Sequence, residues 1–148
     1  MEKDTLPSWG NIENKCVSSD ATFYICFADD LGKKEWLYVL IKSYSFYLGK
    51  RILTELSRSK TLCNDTKFRA LVKIIDVDYY ELVKPYFGRS PTHIDDGEYE
   101  AIGIAHFLYS KGCLHYLIID ESKARNFVNT HFQYLADKMV GTIGFLRG

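Results

Sequence analysis

The chain has no excess of either charge: 19 Lys and Arg balance 19 Asp and Glu over 148 residues. A global basic field, the usual footprint of a nucleic-acid partner, is therefore missing. Cysteine is scarce. Cys16, Cys26, Cys63 and Cys113 show no paired spacing, which excludes a disulfide scaffold. His93, His106, His115 and His131 are not spaced as a metal pair or triad, so no Cys/His zinc pattern exists. No apolar run is long enough to cross a bilayer, and the first residues are polar. Neither a membrane span nor a signal peptide is expected, and the chain reads as cytoplasmic and reducing. Asn64-Asp65-Thr66 matches a glycosylation sequon, but nothing else points to secretion. There is no internal repeat and no low-complexity tract. No glycine-rich loop follows the first apolar run, which argues against a flavodoxin-like nucleotide binder.

What is present suits one folded domain. The length is enough to bury a core, and 11 Tyr and 9 Phe argue against disorder. Charge is unevenly laid along the chain. Residues 31–75 hold ten Lys/Arg against three Asp/Glu, and residues 76–121 hold nine Asp/Glu against three Lys/Arg. Cations to hold phosphates beside carboxylates to hold a metal would suit a phosphodiester enzyme. Two solvated faces would give the same pattern.

Residues 1–20 read as a loose polar arm and 21–148 as the domain. Apolar, β-prone residues 22–27 predict a first strand that runs into Ala28-Asp29-Asp30. A helix over 33–41, a strand over 45–48 and a short helix over 50–58 follow. Residues 59–69 read as an exposed connection, 70–77 as a strand and 79–87 as a helix. Residues 88–97 form a loop, 98–110 a helix, and 114–119 the clearest buried strand. Ser122 is expected to cap a helix over 123–135. Residues 138–141 make a last strand, and Thr142 begins another helix. Strands alternating with helices predict a parallel sheet covered on both faces, a three-layer α/β/α sandwich.

Acidic residues fall at the strand ends and helix starts of this scheme: Asp29/Asp30, Glu55, Glu98/Glu100 and Asp120/Glu121. Ligands bind outside the carboxyl ends of strands in open parallel sheets. Carboxylates gathered there suit a hard cation, Mg²⁺ or Mn²⁺. Each acid taken singly is equally a helix cap, a turn residue or a surface side chain. Lys33 and Lys34 belong to the basic flank. Lys123 and Arg125, one turn past the acids, could clamp phosphate or be ordinary helix surface. Thr142 could donate to phosphate or to a metal-bound water, or cap a helix. His115, opening a buried strand, reads as structural.

Several segments together resemble the PIN domain, in its VapC-like toxin and closely similar PIN-like branches. Phe27-Ala28-Asp29-Asp30-Leu31 resembles the opening strand with its first acid, and Ile52-Leu53-Thr54-Glu55-Leu56 the segment of the second. Gly97-Glu98-Tyr99-Glu100-Ala101-Ile102 resembles the Gly-Glu-x-Glu-Ala-Ile pattern. Residues 117–125 resemble the fourth acidic motif with its trailing Ala-Arg, and Gly141-Thr142-Ile143-Gly144 the closing segment. Two departures stand out. The Ser/Thr usual after the first acid is replaced by Leu31, and the chain stops at Gly148 where the family continues into another helix. Glu98 and Glu100 would point about 200° apart on a helix. The resemblance places Glu100 as the ligand and Glu98 behind it.

The resemblance implies a Mg²⁺- or Mn²⁺-dependent ribonuclease. Asp29 or Asp30, Glu55, Glu100, Asp120 and Glu121 would form its catalytic and metal-binding set, with Glu98 and Thr142 in support. Lys33, Lys34, Lys123 and Arg125 would bind RNA. It also implies the toxin of a toxin–antitoxin pair: a homodimer inhibited by a small antitoxin protein. The alternative is a catalytically incomplete PIN-like module that binds nucleic acid or protein.

Overall fold

The computed structural model describes residues 15–86 and 96–147. Five parallel strands form one sheet: β1 (Cys16–Ser19), β2 (Ser45–Leu48), β3 (Lys73–Ile74), β4 (Leu114–Ile118) and β5 (Met139–Val140). Their spatial order is β3-β2-β1-β4-β5. The chain builds outward from β1 to one side, then crosses to the other for β4 and β5. The order thus reverses between β1 and β4, the place where open α/β sheets leave a crevice at the strands' carboxyl ends. The expected parallel α/β architecture is therefore present.

Helices join the strands: α1 (Ala21–Ile25), α2 (Lys34–Ser43), α3 (Lys50–Leu56), α4 (Thr66–Leu71), α5 (Tyr79–Val83), α6 (Asp96–Ser110), α7 (Ser122–His131), α8 (Gln133–Ala136) and α9 (Thr142–Arg147). They cover both faces of the sheet. On one face Val17, Phe46 and Tyr116 stand in register. Phe23 of α1 and Phe145 of α9 close over them, with Phe23 stacked on Phe46 at 5.5 Å and Phe145 at 5.3 Å from Tyr116. On the other face α6 lies against β1, where the Ser18 hydroxyl donates to the Ala101 carbonyl at 2.6 Å.

The first predicted strand is a helix. Within residues 21–28, Phe23, Tyr24, Phe27 and Ala28 are buried while Thr22 is exposed, a helical and not an alternating pattern. A short apolar run cannot be assigned from periodicity alone. After α1 the chain tightens through a π-helical turn, Cys26–Asp30, with the Leu31 amide donating to the Cys26 carbonyl at 2.8 Å. Gly32, at φ 62°, then turns it away. The true first strand lies within the supposed arm. Its sequence, Cys-Val-Ser-Ser, looks polar yet is wholly buried.

Further corrections are smaller. The strand placed over 70–77 is only Lys73–Ile74, preceded by α4, so the supposed connection 59–69 is partly helical. The cap of α7 is Glu121, whose carboxylate accepts from the Ala124 amide at 2.9 Å, rather than Ser122. The helix over 123–135 is broken in two at Phe132. Most of the 88–97 loop, with His93, lies outside the described residues. No described helix is long and apolar enough to cross a membrane.

Candidate active site

β1 ends at Asp20. Its amide donates to the Ile118 carbonyl of β4 at 3.3 Å, so it sits at the point where the strand order reverses. It occupies the position before α1 where an acid would ordinarily cap the helix, yet it makes no capping bond. The residue is 3% exposed, and neither carboxylate oxygen has a hydrogen-bond partner. Burial, followed by the charges of Glu98 and Asp120, pushes its pKa up to about 7; Glu55 adds to the rise, and the nearby Phe23 amide, outside hydrogen-bond geometry, opposes it. An orphaned buried carboxylate among three other acids is costly unless something positive joins it.

Those acids come from three other elements. Glu55 lies on α3 and Glu98 in the first turn of α6. Asp120 is exposed at the rim, two residues past β4. Close approach needs glycine twice. A Cβ on Gly97 would come within 2.1 Å of a Glu55 carboxylate oxygen, and one on Gly141 within 2.8 Å of Asp120 Oδ1. Asp120 accepts from the Thr142 amide at 2.7 Å and from its hydroxyl. That bond holds α9 at the site's edge. Arg125 bonds the Ile119 carbonyl at 2.9 Å, beside the same loop. A cavity of about 390 Å³ opens between α1 and α3, with Glu55 and Asp96 the acids in its lining.

The acid at the end of β1 is Asp20; Asp29 and Asp30 lie in the π-helical turn after α1. Asp29 instead accepts from the Ser59 hydroxyl at 2.9 Å and the Thr61 amide at 3.2 Å. Burial alone would raise its carboxyl, but hydrogen bonds from Thr61 and Ser59 outweigh that and hold it below the ordinary value. Asp30 is exposed after the π-helical turn. Asp20 is followed by Ala21-Thr22, so a threonine does stand close after the strand-end acid.

Glu100 serves as a cap for α3. It is buried and accepts from the Ile52 amide at 2.9 Å and the Arg51 amide at 3.2 Å. These are orphan donors of α3, whose own N-cap residue is Gly49. Burial raises the Glu100 pKa, and the two amides offset that only in part. Glu98, two residues earlier, is the α6 acid whose charge reaches Asp20. Glu121 is used as the α7 cap.

Of the predicted cations, Lys33 lies over the Trp36 ring at 5.0 Å, and Lys34 pairs with Asp65 at 3.3 Å. Neither lines the cavity. Lys123 is exposed on α7. The basic residues that do line it, Arg51 and Arg58, were not singled out by sequence. His115 stacks on Tyr44 at 5.7 Å, in keeping with a structural role. Among the described residues, no three His, Cys, Asp or Glu side chains stand arranged to hold a metal ion. The acids share one electrostatic field rather than one ready coordination shell.

No protein-family model, curated protein or solved structure matches the chain.

Proposed function

We propose that the carboxyl edge of this sheet is a divalent-cation site that hydrolyses phosphodiester bonds, as in PIN-like ribonucleases. The observation that carries the reading is Asp20: buried, without a hydrogen-bond partner, and facing the charges of Glu98, Asp120 and Glu55 at the strand-order reversal. A cation would relieve both the lost solvation and the mutual repulsion. Asp20, Glu98 and Asp120 are the residues to hold Mg²⁺ or Mn²⁺, with Glu55 at the outer wall. Such an ion supplies an activated water and stabilises charge developing on phosphate. Thr142 fixes the Asp120 carboxylate through two bonds, and Gly97 and Gly141 keep space for the acids. Burial of Asp20 beneath the rim strengthens its electrostatic pull.

A second reading has its own support. The acids are not preset as a shell, and Glu100 and Glu121 are spent on helix caps. That favours a PIN-like binding module without catalysis. The toxin form of the first reading adds an antitoxin and a homodimer, and these rest on the resemblance alone.

Thermal melts in EDTA and in Mn²⁺, paired with an RNA cleavage assay, separate the two readings. The catalytic reading expects Mn²⁺ to raise the melting temperature by mass action. Asp20→Asn should remove that gain and the cleavage together. A wild-type melt indifferent to Mn²⁺, with no cleavage, leaves the binding module.

A further inference from the structure

Helix α3 buries Ile52 and Leu56, which fixes what its other side presents. Arg51, Thr54 and Glu55 recur at the three- and four-residue spacing of one helical face, and Arg58 follows two residues past the end of α3. All four line the cavity between α1 and α3. Glu55 is half-buried and its charge reaches Asp20. Arg51 and Arg58 are exposed, four residues before it and three after. A carboxylate belonging to the acidic cluster is thus bracketed by two guanidinium groups.

We infer that this face seats a single nucleic-acid strand along α3, Arg51 and Arg58 holding the phosphates on either side of the one presented to the acids. The inference rests on the phosphodiester reading above. Planar guanidinium forks match phosphate oxygens in pairs, which lysine cannot do. Thr22 adds a neutral hydroxyl to the lining, while the Thr54 hydroxyl donates to the Lys50 carbonyl at 2.9 Å. A cavity of about 390 Å³ takes a ligand of nucleotide size, which suits a strand with unpaired bases. The two arginines are not equivalent. Arg51 lies beside Tyr79 and in the field of Asp96 and Glu100. Those acids weaken its pull on an anion, so Arg58 carries the larger share.

The test is fluorescence anisotropy of an end-labelled single-stranded RNA of about ten nucleotides, in EDTA so that it stays intact. Arg58→Ala should weaken binding by roughly tenfold, and Arg51→Ala by less. Each loss should reduce the slope of log affinity against log salt by about 0.7. A duplex of equal length should bind more weakly than the strand. Arg58→Lys, which keeps the charge, should keep the salt slope but lose part of the affinity; this separates a lost contact from misfolding. Lys33→Ala, outside the cavity, should bind as wild type. Unchanged affinity and slope in the double alanine variant would overturn the inference, as would an equal loss in Lys33→Ala. Cleavage in Mn²⁺ alongside arginine-independent binding rejects the strand seat alone. Arginine-dependent binding with no cleavage in Mn²⁺ rejects the hydrolytic reading and keeps the seat.

Discussion

The Glu100 carboxylate lies directly over Gly49: a Cβ there would come within 2.4 Å of it. Gly49 has extended backbone, so the restriction is one of space and not of chain conformation. The contact lets an acid from α6 cap α3 across the domain, in place of a cap from α3's own sequence. Glu100→Ala should lower stability by about 2–3 kcal/mol, because two amides lose a charged acceptor in a buried place. Gly49→Ala should cost about 1–3 kcal/mol by overpacking against a carboxylate pinned by those amides. Denaturant melts check both. The Mn²⁺-induced gain should survive in Glu100→Ala, since Glu100 does not face Asp20.

Asp20 makes stability depend on pH in an unusual sense. Its carboxyl is held near 7 in the folded chain, above the ordinary 3.8. A raised pKa means the folded state binds more protons between those values. Its contribution is then fully present at acid pH and is lost as pH rises through about 7. The full span corresponds to something on the order of 4 kcal/mol. Asp20→Asn should stabilise the metal-free protein at pH 8, with the gain shrinking towards pH 4. Equal melting shifts at both pH values would show that Asp20 ionises without penalty.

Asp29 offers the opposite case. Its pKa is depressed, so its contribution is present above the ordinary carboxylate value and disappears as pH falls through the folded one. Asp29→Asn should lose less than about 1 kcal/mol, since the group is partly exposed and an amide oxygen still accepts from Ser59. Cleavage and the Mn²⁺ gain should be untouched. An Asp29→Asn variant that folds but has lost the Mn²⁺ response would return this residue to the site.

Tyr24 is fully buried, and its hydroxyl has no hydrogen-bond partner. Burial, with the Asp20 charge, pushes its pKa far above the usual phenol value. Tyr24→Phe keeps the ring, which packs edge-on to Phe68 at 5.4 Å and Phe46 at 6.0 Å, and removes the orphan group. Stability should rise by about 1 kcal/mol, read as a higher denaturation midpoint at unchanged slope.

The sequence by itself determined the parallel α/β architecture. Alternating strands and helices already meant a parallel sheet, and the runs at 45–48, 98–110 and 114–119 were legible because their length and apolar content agree. The gathering of acids at strand ends was legible too. Which acids gather was not. Cys16–Ser19 looks too polar for a central strand; it is buried because Ser18 finds a carbonyl on α6, a partner 83 residues away. The apolar run after it drew the strand assignment, and with it the first acid, from Asp20 to Asp29. Glu98 and Glu100 show the same limit. Their spacing says that they point apart, but only the tertiary structure decides that Glu100 meets the bare amides of α3 while the charge of Glu98 reaches Asp20. Contacts between elements distant in sequence fix what each carboxylate touches, and so what it can do.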